Sequence, residues 1–481
     1  MKKWTKNPLI MLLAALLLVA VFAGMPPIGP LSRSATMLLG IFAASVLLWI
    51  VVGIEWPSLF CLFLLSLLPE ISMSSLMTTS FGNPTICFLI FTFCCSHAVH
   101  NTPFIRRCAI GFLSLPISRK GPWYFLTTYF LSVLLLGSCM STTVIVMIYL
   151  TINEEIFRIL NLKKGDPLAV MMTAGLIIAA SISGAITPIA HVFPLMAMSV
   201  YESIVGQSIG YGAYMAAGIP AGLVSLAGTM LIFRFLLKPD TARISEIDIP
   251  AMKRSLPKAD AREKLTVAIF FTIVFFWVAP DLLKGVFPTV CKAISAYGTV
   301  TPPLIGMILL CVISIDGKPL LKMSEGMKAV PWPCIFMGGA ALALGGAMTN
   351  GDIGLSEAVK QAIAPLAGRL SGFSLVALLV IVTALLTNVG SNMVTVTIVS
   401  AVGLPIAVGL GGSVNPAAFA AVIGMMSTYA WATPPAMTTV VLGTGTGWAT
   451  AADMAKYGFL ALVPSVLAVL FIAYPIACSL M

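Results

Sequence analysis

The sequence predicts an all-α polytopic membrane protein, with two inverted repeats that hold about 11 transmembrane helices and two re-entrant helical hairpins. Three observations carry that prediction. Of 481 residues, 59% are hydrophobic and only 9% charged, with a mean hydropathy of +1.04. That is more apolar surface than a water-soluble fold can hide. The apolar segments run long without alternating, which fits helices and excludes the period-two strands of a membrane barrel. Finally, a polar stretch interrupts the oily sequence once in each half, at matching places.

In chain order, the expected spans are 8–24, 35–53, 57–69, 83–101, a hairpin over 122–152, then 168–199 and 212–237. After a polar connection, the second set is 265–283, 299–315, 332–349, a hairpin over 372–410, then 416–446 and 457–478. Residues 1–237 form the first repeat, 238–264 a cytoplasmic linker and 265–481 the second repeat. Lys2, Lys3 and Lys6 precede the first apolar run in the manner of a signal peptide. With so many spans behind it, that run reads as an uncleaved first helix. If the N-terminus is cytoplasmic, only Arg33, Lys284, Lys292, Lys360 and Arg369 fall outside, leaving 22 of the 27 basic residues inside. This bias places the N-terminus and linker in the cytoplasm, the C-terminus outside and the chain in the inner membrane. It also explains the net charge of +10 without nucleic acid; lipid is the surrounding partner.

The second hairpin turns at Leu386-Thr387-Asn388-Val389-Gly390-Ser391-Asn392-Met393, preceded by an apolar run over 375–385 that looks too short to cross a membrane. Hydroxyls and amides there are costly in lipid unless they bind something. The earlier counterpart is Gly137-Ser138-Cys139-Met140-Ser141-Thr142-Thr143. Each tip is followed by a Thr-Pro inside an apolar segment, Thr187-Pro188 and Thr433-Pro434, within stretches 181–190 and 427–436 that agree at four of ten positions. Proline removes a backbone donor and displaces a carbonyl, so both segments should break. One such break is an ordinary kink. Two at matching positions after polar tips point to function. By the charge pattern the first hairpin opens from the cytoplasm and the second from outside, so the repeats are inverted.

What the spans lack is equally informative. No Asp, Glu, Lys or Arg sits in the middle of a span, so no carboxylate relay for protons is available. Neutral hard oxygens suit sodium, and helix ends suit an anion. The ten cysteines show no framework spacing, and disulfides are not expected. Cys94, His97 and His100 share a helix face, but without a carboxylate they read as polar residues near a helix end. His191 lies where the first broken helix resumes; contact with substrate, proton transfer, capping and packing all remain open.

These tips and breaks, in this order and duplicated, resemble the divalent anion/sodium symporter family, carriers of dicarboxylates, citrate or sulfate. The family's Ser-Asn-Thr tip is matched by Ser391-Asn392-Met393 and its Thr-Pro-Pro break by Thr433-Pro434-Pro435; the first repeat has Ser141-Thr142-Thr143 and Thr187-Pro188-Ile189. Phe81-Gly82-Asn83-Pro84-Thr85, leading to Arg106-Arg107, resembles the family's fourth-helix region. The resemblance implies a homodimer in which a transport domain moves as an elevator against a scaffold. It implies a small anionic substrate between the tips, held by Ser141, Thr142, Thr143, Thr187, Pro188, Ser391, Asn392, Met393, Thr433 and Pro434. It further implies one sodium site at Ser138, Ser141, Thr142 and Gly184, and another at Thr387, Gly390, Ser391, Asn392 and Ala430. Thr142 stands where the family has an amide, Met393 where it has a hydroxyl, and Ala436 where Asn commonly follows the prolines.

The expected function is secondary active transport of a small di- or tricarboxylate, or a comparable anion, coupled to Na+. The alternative is a sodium-independent anion exchanger of the same fold. No His-Glu-x-x-His, Gly-x-Ser-x-Gly or paired intramembrane aspartate suggests an enzyme. Inverted repeats with broken helices also suit alternating access better than a passive channel.

Overall fold

Local sequence grammar sets the helix starts in both halves. Asn83, Asp166 and Asn415 each accept a hydrogen bond from the first turn of the helix they open, and proline follows each cap. Proline at that position loses nothing, because its missing N–H would have been unpaired anyway. The computed structural model describes residues 8–27, 31–247, 253–254, 256–283, 285–355, 357–358, 371–410, 412–434 and 436–481. Lys2, Lys3, Lys6, Lys284, Lys360, Arg369, Pro435 and part of the expected linker lie outside the described residues.

The described chain is almost wholly helical. A two-stranded ribbon, Ser314–Ile315 with Lys318–Pro319, is the exception. Its turn is Asp316-Gly317, both in the left-handed region at φ 53° and 73°, the conformation that a tight two-residue hairpin demands. Among the described residues, eight helices are long and apolar enough to cross a membrane, or up to ten when bent pairs are joined. Those pairs are Met73–Thr79 with Pro84–His100, bent by 44°, and Pro288–Ala296 with Thr301–Val312, bent by 71°.

The halves use corresponding parts. The first hairpin is Pro122–Gly137 and Thr142–Ile159; the second is Gly372–Val389 and Asn392–Gly409. Each precedes a broken helix, Pro167–Ile186 with Val192–Val205 and Pro416–Thr428 with Thr438–Gly445. Each half then closes on a long helix, Tyr211–Leu231 or Ala451–Ala468, with an internal proline (Pro220, Pro464) and a π turn at its end. These two closing helices pack together. At their crossing only a glycine fits, since a Cβ on Gly228 would lie 2.5 Å from Pro464 Cβ.

Packing at the breaks is reciprocal. Pro167–Ile186 lies against its own hairpin, whereas Val192–Val205 crosses to the second hairpin and to Pro416–Thr428. In return, Thr438–Gly445 crosses to the first hairpin. Pro167–Ile186 is buried along its length, while large apolar side chains such as Leu236, Phe471 and Val286 are exposed, as a lipid-facing surface requires.

Three expected boundaries change. Each limb of the second hairpin is an 18-residue helix apolar enough to cross, so shortness does not mark it as re-entrant. The reason is that Thr387 and Asn388 stay helical, and their buried side chains find hydrogen bonds. The first hairpin runs past 152 to Ile159, because Asn153 Oδ1 accepts from Tyr129 Oη at 2.6 Å and Glu155 pairs with Arg106 at 3.0 Å. The span expected at 299–315 is the second, bent pair.

The helix Phe104–Leu113 ties distant parts through consecutive arginines. Arg106 reaches Glu155 on the first hairpin, and Arg107 pairs with Glu263 and donates to Pro257 O at 2.7 Å. The Glu263 side chain is only 5% exposed. Removing its partner strands a carboxylate, so Arg107→Ala should lower stability by about 3 kcal/mol, the low end for a broken buried pair. Thermal unfolding of the purified protein in detergent checks this. Arg106→Ala, at a pair with side chains 40% and 31% exposed, should barely shift the transition.

Candidate functional site

Both hairpins turn at a serine that begins the second limb, Ser141 and Ser391, and neither serine side chain caps its helix. The resumed halves of the broken helices begin at His191 and Met437, again without a side-chain cap. Each of the four helices therefore presents unpaired N–H groups and the positive end of its dipole. Their first residues, Thr142, Val192, Asn392 and Thr438, all line one cavity of about 590 Å³. No Asp, Glu, Lys or Arg is among its lining residues. Convergent helix starts in a wall without charged side chains are an arrangement that favours an anion.

The Thr-Pro breaks act as struts behind this cavity. Thr187 donates its hydroxyl to Ser138 O, and at the matching place Thr433 Oγ1 donates to Asn388 O at 2.5 Å. In the second half Thr387 Oγ1 also donates to Ser427 O at 2.7 Å. The tie that sequence reasoning missed is Asn388, fully buried. Its Nδ2 donates to Ala384 O at 2.8 Å and to Tyr429 O at 2.7 Å. Its Oδ1 accepts the N–H groups of Trp431 and Ala432, both at 3.0 Å. One side chain thus satisfies the backbone that the break sets free. The available signal was an amide at the end of an apolar limb, one residue after Thr387.

Of the residues expected at substrate, Ser141, Thr142, Thr143, Ser391, Asn392, Met393 and Pro434 line the cavity. Thr187, Pro188 and Thr433 do not, nor do Ser138, Gly184, Thr387, Gly390 and Ala430 from the expected sodium sets. Asn392 is 3% exposed, and its Nδ2 is buried without a partner. A donor left unpaired there is costly unless a ligand accepts from it. Around the first tip, Thr142 turns its methyl toward Gly184; a Cβ on Gly184 would lie 2.6 Å from Thr142 Cγ2. Ala430 is buried, and its carbonyl accepts from Ser181 Oγ at 3.4 Å.

His97 and His100, read from sequence as polar residues near a helix end, belong to the cavity wall together with His191. Cys94, on the same helix, packs toward Gly326 instead. Among the described residues no group of three or more His, Cys, Asp and Glu can hold a metal ion.

Comparison with known proteins places the chain among membrane transporters. Residues 28–424 match the family model described as citrate transporter, CitMHS. The sodium-dependent dicarboxylate transporter SdcS of Staphylococcus saprophyticus is 26% identical over 93% of this chain and 91% of its own length. The low-affinity phosphate transporter PHO90 of Saccharomyces cerevisiae is 21% identical over 41% of this chain and 20% of its own. The YdaH transporter of Alcanivorax borkumensis shares the fold, with a TM-score of 0.54 over 97% of both chains at 14% identity. The chain belongs to the CitMHS citrate transporter family, and it is a multi-span membrane transporter, not an enzyme.

Proposed function

We propose that this protein carries a small di- or tricarboxylate across the cytoplasmic membrane by secondary active transport coupled to sodium. The observation that carries this reading is the meeting of four uncapped helix starts in one cavity without fixed charge. Each such terminus favours an anion by roughly 0.3–1 kcal/mol, and more where water is excluded. The family description and the dicarboxylate relative support carboxylate as the anion. Ser141, Thr142, Thr143, Ser391 and Asn392 bind it through neutral donors, with Met393 and Pro434 as apolar walls. Thr187, Pro188 and Thr433 hold the tips in place rather than touching it.

Sodium is co-transported cargo in this scheme. Around the second tip the carbonyls of Asn388, Ser427 and Tyr429 each accept one side-chain hydrogen bond and keep a second lone pair. With Thr387, Gly390, Ser391, Asn392 and Ala430 they offer neutral oxygens to one cation. The first set, Ser138, Ser141, Thr142 and Gly184, fits less well, because the Thr142 methyl faces Gly184. That feature favours the second reading, a sodium-independent exchanger. The repeats are inverted in this proposal, with the N-terminus cytoplasmic and the C-terminus outside. The reciprocal packing of the broken helices supports a body that moves as an elevator within a homodimer.

Uptake of labelled succinate and citrate into proteoliposomes, measured against sodium at fixed pH, tests the proposal. Uptake should rise with sodium along a shallow curve, and Thr142→Asn should steepen it by supplying a longer amide oxygen. Indifference to sodium together with strong stimulation by internal anion would replace symport with exchange. Failure of wild type to take up either anion would remove the carboxylate reading.

A further inference from the structure

The chain has three histidines, two a turn apart on one helix and the third at a later helix, and all three line the cavity. They are its only lining side chains that can carry positive charge. Two helices distant in sequence bring them to the same cavity. Here His97 and His100 sit on one helix with ring centroids 6.2 Å apart, and His191 opens the resumed half of the first broken helix. His191 also borders the first tip: its Cβ would lie 3.4 Å from a Cβ on Gly184, the residue that Thr142 packs against.

The hydrogen bonds of the rings show which nitrogen each can offer. Nδ1 of His100 and Nδ1 of His191 are buried without a partner. A neutral ring with its proton on Nε2 leaves only a lone pair at that buried atom, which costs less than stranding an N–H. Nε2–H is then the free donor of both rings. For His97 the assignment reverses. Asn101 Nδ2 lies 3.1 Å from His97 Nε2 and donates to it, which leaves the proton on Nδ1. His191 also packs against Phe193, with the rings tilted by 39° and their centroids 4.3 Å apart. Three N–H donors thus share a cavity with the four helix starts, in a wall whose described residues offer no guanidinium or ammonium.

We propose that His97, His100 and His191 form a second carboxylate subsite, which binds the acid group of the substrate that the hairpin tips leave free. This rests on the carboxylate reading above and deepens it: the histidines set the preference for anions with two or three carboxylates over monocarboxylates. A monocarboxylate can fill the tips, but it leaves the three ring donors without the carboxylate they would bind, and a site built to hydrogen-bond a group discriminates against a ligand that lacks it. Hydrogen bonds to charged groups are worth about 1.5–3 kcal/mol, so each ring that contacts the distal carboxylate accounts for about tenfold or more in affinity.

Kinetics of citrate, succinate and acetate uptake in proteoliposomes test this. His100→Leu and His191→Leu should raise KM for citrate and succinate by about tenfold or more and weaken discrimination against acetate. His100→Gln and His191→Gln keep an N–H donor and should stay within about threefold of wild type. Leucine variants that match wild type in KM and discrimination, while wild type transports citrate, would overturn the subsite alone. A wild type inert toward all three anions would overturn it together with the cargo assignment. Should the leucine variants fail to fold, diethylpyrocarbonate labelling of the wild type decides. With every histidine in the cavity, saturating citrate should slow modification of all three, located by mass spectrometry. Equal labelling with and without citrate would overturn the proposal.

Discussion

Asn392→Ala should take anion uptake close to background while leaving the fold unchanged. The two effects separate because the amide nitrogen makes no hydrogen bond within the fold. Its Nδ2 is buried and bonds nothing, so truncation removes an unsatisfied donor instead of breaking a contact within the fold. Stability should therefore stay within about 1 kcal/mol of wild type, or rise slightly. In the proposed site, transport loses the donor that meets the substrate at the second tip. Loss of one hydrogen bond to a carboxylate costs about 1.5–3 kcal/mol, or roughly 10- to 100-fold in affinity. Uptake below saturation in proteoliposomes, beside a melting curve in detergent, gives both readouts. Wild-type uptake by Asn392→Ala would remove the second tip from the site.

How much of this was legible in the sequence depends on which physics each residue obeys. The tips and breaks were legible because polar groups and prolines in oily sequence are costly wherever they occur. The repeat order led to the expectation that the tips meet, and Ser141, Thr142, Ser391 and Asn392 line one cavity, while Thr187 and Thr433 do not. Limb length was not legible: the run over 375–385 stops at Leu386, but the helix continues because Thr387 and Asn388 find carbonyls across the break. The division of labour between threonines was hidden for a similar reason. Thr187 and Thr433 have the same chemistry as Thr142, and only the fold aims their hydroxyls at Ser138 O and Asn388 O. His97 and His100 lie close to a helix end, where sequence suggests interface water; the bend of 44° before their helix and the packing around it bring that end to the cavity. The di- and tricarboxylate part of the family resemblance is matched by the relatives, and nothing in them speaks for sulfate.

The largest structural effect should come from Asn388→Ala, four residues from Asn392 and opposite to it in consequence. Here the amide is fully used. Truncation leaves the N–H groups of Trp431 and Ala432 and the carbonyl of Tyr429 without their partner, all on buried residues. Each stranded group costs about 1–3 kcal/mol, so the total should be about 3–6 kcal/mol, allowing for some relaxation of the break. The first half shows why the residue matters in the second. At the matching position stands Ser138, whose hydroxyl turns back to Leu135 O at 2.8 Å and spans no break. The first break closes quickly, between Ile186 and Val192, whereas the second runs from Thr428 to Thr438 and frees more backbone. Asn388→Ser, which imports the residue of the first half, should therefore recover little. Both variants should melt well below wild type and below Asn392→Ala, and uptake by the surviving fraction should also fall, because Thr433 anchors on the Asn388 carbonyl and Pro434 lines the cavity. Melting of Asn388→Ala within about 1 kcal/mol of wild type would show that the break holds its shape without this side chain, and that the second tip is positioned by packing alone.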